Sequence, residues 1–345
     1  VREKNMYSGI GKTHYNQEFD STNLMRCWNE CMQKSSYQSR RDAIQEFNKE
    51  NYWKKKGIAI IPLKFTVGFV EKTYHQVTAL VHIYRDGYVL VSHSGVEMGQ
   101  GLYTKIVQVV SRELKIPMSY IYICETSTVT VPNSIASGGS IGTDITGIAV
   151  KVMISTEICR FSLMFWLKKS KFPFIELESN CYATHKIFCS KVSEAFEQRI
   201  SLSSTGYYRG YDTYMDWEKG EGHAGPYYIF GAACSEIELD CLTGKYNNLR
   251  TDIVMDLGQS INPGIDIGQV EGAFTQGFGL YTTEELQYSP FGSLYTLGPD
   301  KYIMPAVCDI PREFNVYLLA SSNNPYTIYS SKVICFPAFV VINSI

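Results

Sequence analysis

Two alternating apolar segments, Ala79-Leu-Val-His-Ile-Tyr84 and Tyr88-Val-Leu-Val-Ser-His93, stand either side of Arg85-Asp-Gly87. Asp-Gly tolerates the positive φ angles of a tight turn, so the two segments are expected to form an antiparallel hairpin. The same pattern returns at Cys234-Ser-Glu-Ile-Glu-Leu-Asp240, which alternates cleanly and pairs through Leu242-Thr-Gly-Lys245 with Leu249 to Met255. Between the hairpins, Leu102, Ile106, Val109, Val110 and Leu114 recur at helical spacing until Pro117 stops them. Tyr120-Ile-Tyr-Ile-Cys124 reads as a further strand. Hairpins and helices interleave without a regular βαβ rhythm. The fold class is therefore α+β, with hairpin-rich mixed sheets and packed helices, not a doubly wound sheet.

Residues 1–56 form a helical lead-in. Within it, 19–56 is polar and helix-forming, ends in Lys54-Lys-Lys56, and is expected as one or two surface helices. From Gly57 the texture is β, and 57–150 makes a first part that closes on a long polar loop and a helix near Ile145 to Val152. Residues 151–192 have no sustained period and read as sequence that no packed domain was shaped around. A second part, 193–332, contains DIGQVEGAFTQGFGL, a helix whose glycines suit close packing or a ligand against backbone. Residues 333–345 trail off as a tail.

A formal charge of −2 leaves no basic footprint for nucleic acid or an acidic membrane. The apolar runs at 161–167 and 333–342 fall short of the roughly 20 residues a membrane helix needs, and the second contains Pro337. Ten cysteines without a C-x-x-C pair, diluted through 345 residues, read as reduced cytosolic thiols. The opening Val1-Arg-Glu-Lys-Asn carries no charged-then-apolar leader and reads as a start within a longer polypeptide.

Gly138-Gly-Ser-Ile-Gly142 matches the G-x-S-x-G elbow of serine hydrolases, with Ser140 as nucleophile and His185 or His223 as base. The elbow needs a strand running into the serine, and Pro132-Asn133-Ser134 breaks that approach. The six histidines lack zinc-site spacing, and neither a G-x-G-x-x-G fingerprint nor a Walker lysine is present. What remains is a set of glycine-rich corners at helix starts: Gly99-Gln-Gly101, Gly138 to Gly142, and Gln269 among helix glycines. Helix-start N–H groups face anions favourably, and a glutamine amide suits heterocycle edges. Such corners therefore suit a polar, phosphate-bearing heterocycle, although tight turns and helix packing are glycine's first uses.

Three stretches, EMGQGLYTKIVQVVSRELKIPMSYIYICETSTVTVPNSIAS, GAACSEIELDCLTGKYNNLRTDIVMD and INPGIDIGQVEGAFTQGFGLYTTEELQYSP, resemble the molybdenum hydroxylases, the xanthine dehydrogenase and aldehyde oxidase family. GYYRGYDTYMDWEKGEG and YHQVTALVHIYRDG lean toward the aldehyde oxidase branch. The resemblance covers residues 1 to about 150 and 195–332 and implies part of a molybdopterin-binding domain. It implies cofactor contacts at Met98, Gly99 and Gln100, at Gly139, Ser140, Ile141 and Gly142, at Gln269, and at Ile334. Molybdenum itself is then held by the pterin's dithiolene sulfurs, not by protein side chains. The family works on aldehydes and N-heterocycles, passes electrons through 2Fe-2S clusters and FAD to oxygen, and forms cytosolic homodimers.

The pattern breaks where the family carries its general base, a glutamate in a segment of type S-K-x-x-G-E. Here the residues are Ser331-Lys-Val-Ile-Cys-Phe336, and phenylalanine accepts no proton. General-base catalysis typically contributes about 10²–10⁴-fold, so a chain with Phe336 at that place is expected to be inactive. Gly138-Gly139 stands where the family often has two alanines. The stretches 151–192 and 333–345 are expected to be non-homologous sequence, and the iron–sulfur and flavin domains lie outside this chain. The alternative expectations are a non-catalytic binding or dimerisation fragment, and a hydrolase through Ser140.

Overall fold

The computed structural model describes residues 1–332 apart from 125, 134 and 167–180; side chains at 156–166, 181–184 and 187 are also outside the description. The elements in chain order begin with β1 (Ile10–Lys12) and β2 (Glu18–Asp20), then α1 (Thr22–Lys34), α2 (Tyr37–Glu50) and β3 (Lys54–Thr66). There follow β4 (Gln76–Ile83), β5 (Val89–His93), α3 (Leu102–Leu114), β6 (Ile121–Ile123), α4 (Gly142–Trp166) and α5 (Cys181–Glu197). The remainder is β7 (Ser203–Arg209), β8 (Tyr214–Asp216), β9 (Glu221–His223), β10 (Tyr228–Asp240), β11 (Tyr246–Met255), α6 (Pro263–Thr282) and β12 (Glu313–Leu318).

One four-stranded sheet runs β12-β11-β10-β3 and the other β6-β5-β4-β7. Each is antiparallel except at one edge, where β12 lies parallel to β11 and β6 parallel to β5. The mixed α+β architecture matches the expectation from sequence, and the hairpin around Asp86-Gly87 joins β4 to β5 in the register Ile83 opposite Val89. Gly87 takes φ 88°, the conformation its turn demands.

Strand β10 is the spine. Its successive side chains point to opposite faces. Phe230, Ala232 and Cys234 pack in a cluster with α1, while Ile229 and Ala233 join the main core with α6 residues Val270, Phe274 and Phe278. That main core continues into the second sheet through Val77, Ala79, Val81, Val89 and Val91, covered by α3 and α4.

Two features differ from the sequence reading. Helix α1 is not a surface helix: Leu24, Cys27, Trp28 and Cys31 recur at i, i+3, i+4 and i+7 and are all buried against β10. A stripe this narrow is diluted by its polar neighbours, which is why it reads as surface. The second concerns 151–192. Helix α4 runs on to Trp166, with Met153 and Ile154 in the core, and Val192 of α5 is also buried. The described ends of that stretch are therefore packed. Among the described residues, no helix is long and apolar enough to cross a membrane.

Candidate functional site

The corner between β5 and α3 is built around Glu97. Its Oε1 accepts from the N–H groups of Gly99 (3.0 Å) and Gly101 (2.9 Å), and its Oε2 from Tyr103 N–H (2.9 Å). Burial pulls this carboxyl up, but the N–H donors of Tyr103, Gly101, Gly99 and Met98 together outweigh it and hold it below the usual range. The α3 start is thus already filled by a side chain. This corrects the expectation that its N–H groups stand free for an anion.

Gln100 folds back over the same loop. Its Oε1 accepts from Met98 N–H at 2.6 Å and its Nε2 donates to Val96 O at 2.7 Å. That uses one lone pair and one N–H, leaving one of each. Gln269, on α6, donates from Nε2 to Gly99 O at 3.2 Å. Gln100 and Gln269 therefore meet at one corner, with Met98 exposed on its rim.

The Gly138–Gly142 loop joins this corner through Ser137, whose Oγ accepts from Val96 N–H at 2.8 Å. Gly139 and Ser140 both take positive φ (57° and 56°), turning the chain into α4. Ile141 is buried in the main core. Thr143 and Gly142 open α4, and their N–H groups make no hydrogen bond among the described residues, as expected for a helix start. Asp144, fully buried in that first turn, accepts from Tyr227 Oη at 2.6 Å. Desolvation pushes its carboxyl up to about 8, against the pull of Tyr227 and Lys105. A neutral Asp144 leaves the α4 start attractive to an anion.

Lys105 of α3 and Asp266 of α6 form a buried pair at 2.6 Å and lock the two helices together. Beside them, a Cβ on Gly101 (φ 76°) would stand 2.5 Å from Ile265 Cδ1. Gly101→Ala is therefore expected to cost more than the ~1–2 kcal/mol of left-handed backbone alone. Gly99→Ala, with φ 100° and open space around it, carries only a backbone cost. Thermal melts of the two variants check the difference, with Gly101→Ala melting lower.

The strand that a nucleophile elbow needs before Ser140 is missing among the described residues, as the break at Pro132-Asn133 implies. β6 ends at Ile123 and α4 begins at Gly142, with no strand between them among the described residues. His185 is stacked on Tyr120 at 3.5 Å and contacts Cys189, while His223 lies on β9. Neither bonds Ser140 among the described residues. Ile334 and Phe336 lie outside the described residues. Glu97 as a cap, Asp144 and the Lys105–Asp266 pair are not among the residues that the sequence singles out. An acid beside a glycine at a helix start was the available signal for the first.

The architecture is that of molybdenum hydroxylase cofactor-binding domains. Quinoline 2-oxidoreductase from Pseudomonas putida 86 superposes with TM-score 0.79 at 20% identity, over 96% of this chain and 43% of that one. Aldehyde oxidoreductase from Desulfovibrio desulfuricans does so with TM-score 0.79 at 18% identity, over 99% and 35%. The sequence also matches a family profile, the molybdopterin cofactor-binding domain, over residues 30–311, and the chain belongs to that family. It is 58% identical over 332 residues to aldehyde oxidase 2 of Mus musculus and 57% identical to aldehyde oxidase 3 of Rattus norvegicus. Each alignment takes in 96% of this chain and 24% of the relative, so the chain spans about a quarter of their length.

Proposed function

We propose that this chain is the later part of the molybdopterin-binding domain of an aldehyde oxidase-like oxidoreductase acting on aldehydes and N-heterocycles. The observation that carries this reading is the meeting of Gln100 and Gln269 around Gly99, a corner that Ser137, just ahead of the Gly138–Gly142 loop, also reaches. The residues fit the group. Gln100 and Gln269 keep unused amide capacity, and Glu97, the carboxylate at the corner, is consumed by its own backbone. Phosphate oxygens are best served by the N–H groups of Gly142 and Thr143 at the α4 start, next to an uncharged Asp144. Met98, Gly99 and Ser140 shape the rim, Ile141 anchors the loop in the core beneath it, and Ile334 belongs to the same set on sequence alone.

The bound group supplies the molybdenum centre at which substrate is oxidised. In the parent protein, electrons leave through 2Fe-2S clusters and FAD held by other parts of a cytosolic homodimer. With Phe336 at the base position, the chain alone turns over no aldehyde. Expression in a host that makes the cofactor, followed by molybdenum and pterin assay, tests the reading. Pterin and molybdenum are expected to co-purify, and Gln269→Ala or Gln100→Ala to lower retention about tenfold, as loss of one to two hydrogen bonds predicts. Metal at background in the unaltered chain would overturn it.

A second reading, association with another protein chain, is favoured by the apolar side chains exposed between 286 and 307, among them Tyr288, Phe291, Leu297 and Val307. Sedimentation with and without bound pterin separates the two.

A further inference from the structure

The Gly138–Gly142 loop rests on a layer that the corner itself does not explain. After β3 ends, Gly68 N–H donates to Gly139 O at 2.7 Å. The Phe69 ring lies against the same loop: a Cβ added to Gly139 would sit 3.0 Å from that ring and 3.1 Å from the Gly68 carbonyl carbon. A Cβ on Gly138 would stand 3.1 Å from the ring edge. The loop's position is therefore set by where Phe69 stands.

Phe69 is tethered at both main-chain groups. Its N–H donates to His75 Nε2 at 2.8 Å, and its carbonyl accepts from Thr213 Oγ1 at 2.9 Å. His75 is 1% exposed and fixed in turn. Its Nδ1 faces Tyr211 O at 3.1 Å, and its own carbonyl accepts from Gly210 N–H at 2.6 Å. A ring nitrogen that accepts from a main-chain N–H carries no proton, so Nδ1 carries it and donates to Tyr211 O. Imidazole here joins two loops, 68–69 and 210–213, that no strand pairing joins.

We propose that His75 is a positioning residue: by accepting from Phe69 N–H it seats the Phe69 ring under Gly138–Gly139 and so fixes the loop that leads into α4. Its relevance to cofactor binding rests on the function proposed above; the mechanical claim does not. Protonation at Nε2 would set N–H against N–H and release Phe69. The groups around the ring favour the neutral form. Tyr211 meets it edge-on at 5.6 Å, Tyr74 lies against Phe69, and Thr213 is 3.4 Å from Nδ1. The charged Glu71 and Lys72 on its own loop are exposed, and Asp212 is turned outward to Arg209. Burial lowers the imidazole below its ordinary 6.5, partly offset by Tyr211 O. The folded state thus binds fewer protons than the unfolded one, and the pin is complete above about pH 6.5 and weakens as pH falls beneath it.

Amide hydrogen exchange on the intact chain tests this with two variants. His75→Phe keeps a ring and removes the acceptor; His75→Gln restores an acceptor at similar reach. Exchange at Gly68 and through 138–142 is expected to speed about tenfold in His75→Phe, the size of one unsatisfied buried donor, and to stay near the unaltered rate in His75→Gln. Amides of the β10–β3 ladder are expected to be unchanged in both. After correction for intrinsic rates, the unaltered chain's loop exchange should rise below pH 6.5, and that of His75→Gln should stay flat. Unchanged loop exchange in His75→Phe, or acceleration spread evenly into β3 and β10, would overturn the proposal. Pterin content of the same variants reports separately. A loosened loop in a chain that never carries pterin removes the cofactor reading and leaves the pin standing.

Discussion

Lys105→Met is expected to destabilise the chain by about 3–5 kcal/mol, because it strands a buried carboxylate. Lys105 and Asp266 are 5% and 2% exposed, and the Asp266 carboxylate also accepts from Ser260 Oγ. Removing the ammonium leaves a charge surrounded by α3 and α6 with a single hydroxyl donor beside it. The double variant Lys105→Met/Asp266→Leu is expected to recover most of the loss, since a buried pair is often no better than well-packed apolar side chains. Urea unfolding of the three proteins measures this. A loss below about 1 kcal/mol in the single variant would mean that the pair behaves as a solvated one.

The second large effect is a change in pH dependence on Asp144→Asn. The folded-state pKa of Asp144, about 8, is raised from 3.8, so its stabilising contribution is present in full at low pH and is lost as pH rises toward 8. Buried His93 acts with the opposite sign. Desolvation lowers it from 6.5 to about 4, so its contribution is complete above 6.5 and is lost as pH falls toward 4. From pH 4 to 6.5 the two slopes oppose each other; above 6.5 Asp144 acts without His93. The unaltered chain should therefore lose about 2 kcal/mol between pH 6.5 and 8, and Asp144→Asn should lose almost none. Unfolding midpoints at those two pH values decide it, and parallel slopes would show that Asp144 is ionised throughout.

How much of this was legible in the sequence depends on the range of the interaction. The Asp86-Gly87 turn, the α3 stripe ending near Pro117 and the β10–β11 hairpin are local, so alternation and turn chemistry reveal them. The parallel addition of β12 to β11 is not local, since nothing within Glu313–Leu318 names its neighbour. At the site, Gln100 stands out because glycines flank it in its loop and Gln269 because glycines crowd its helix, and the fold brings the two to one corner. Glu97 carries a local signal, an acid beside a glycine at a helix start, but which N–H groups it caps is set only by the folded loop. His75 was hidden: its partners are main-chain groups of Phe69 and Tyr211, and main chain leaves no trace in a sequence.

The bond from Gln269 to Gly99 links residues 170 apart, and Lys105 meets Asp266 across 161. Closing loops of that size is entropically costly and is rewarded only once both sheets have paired. The Gln100–Gln269 corner is thus expected among the last features to assemble on the folding path. A substitution deep in β10, far from any ligand, would then surface first as a chain that folds too slowly to capture its cofactor.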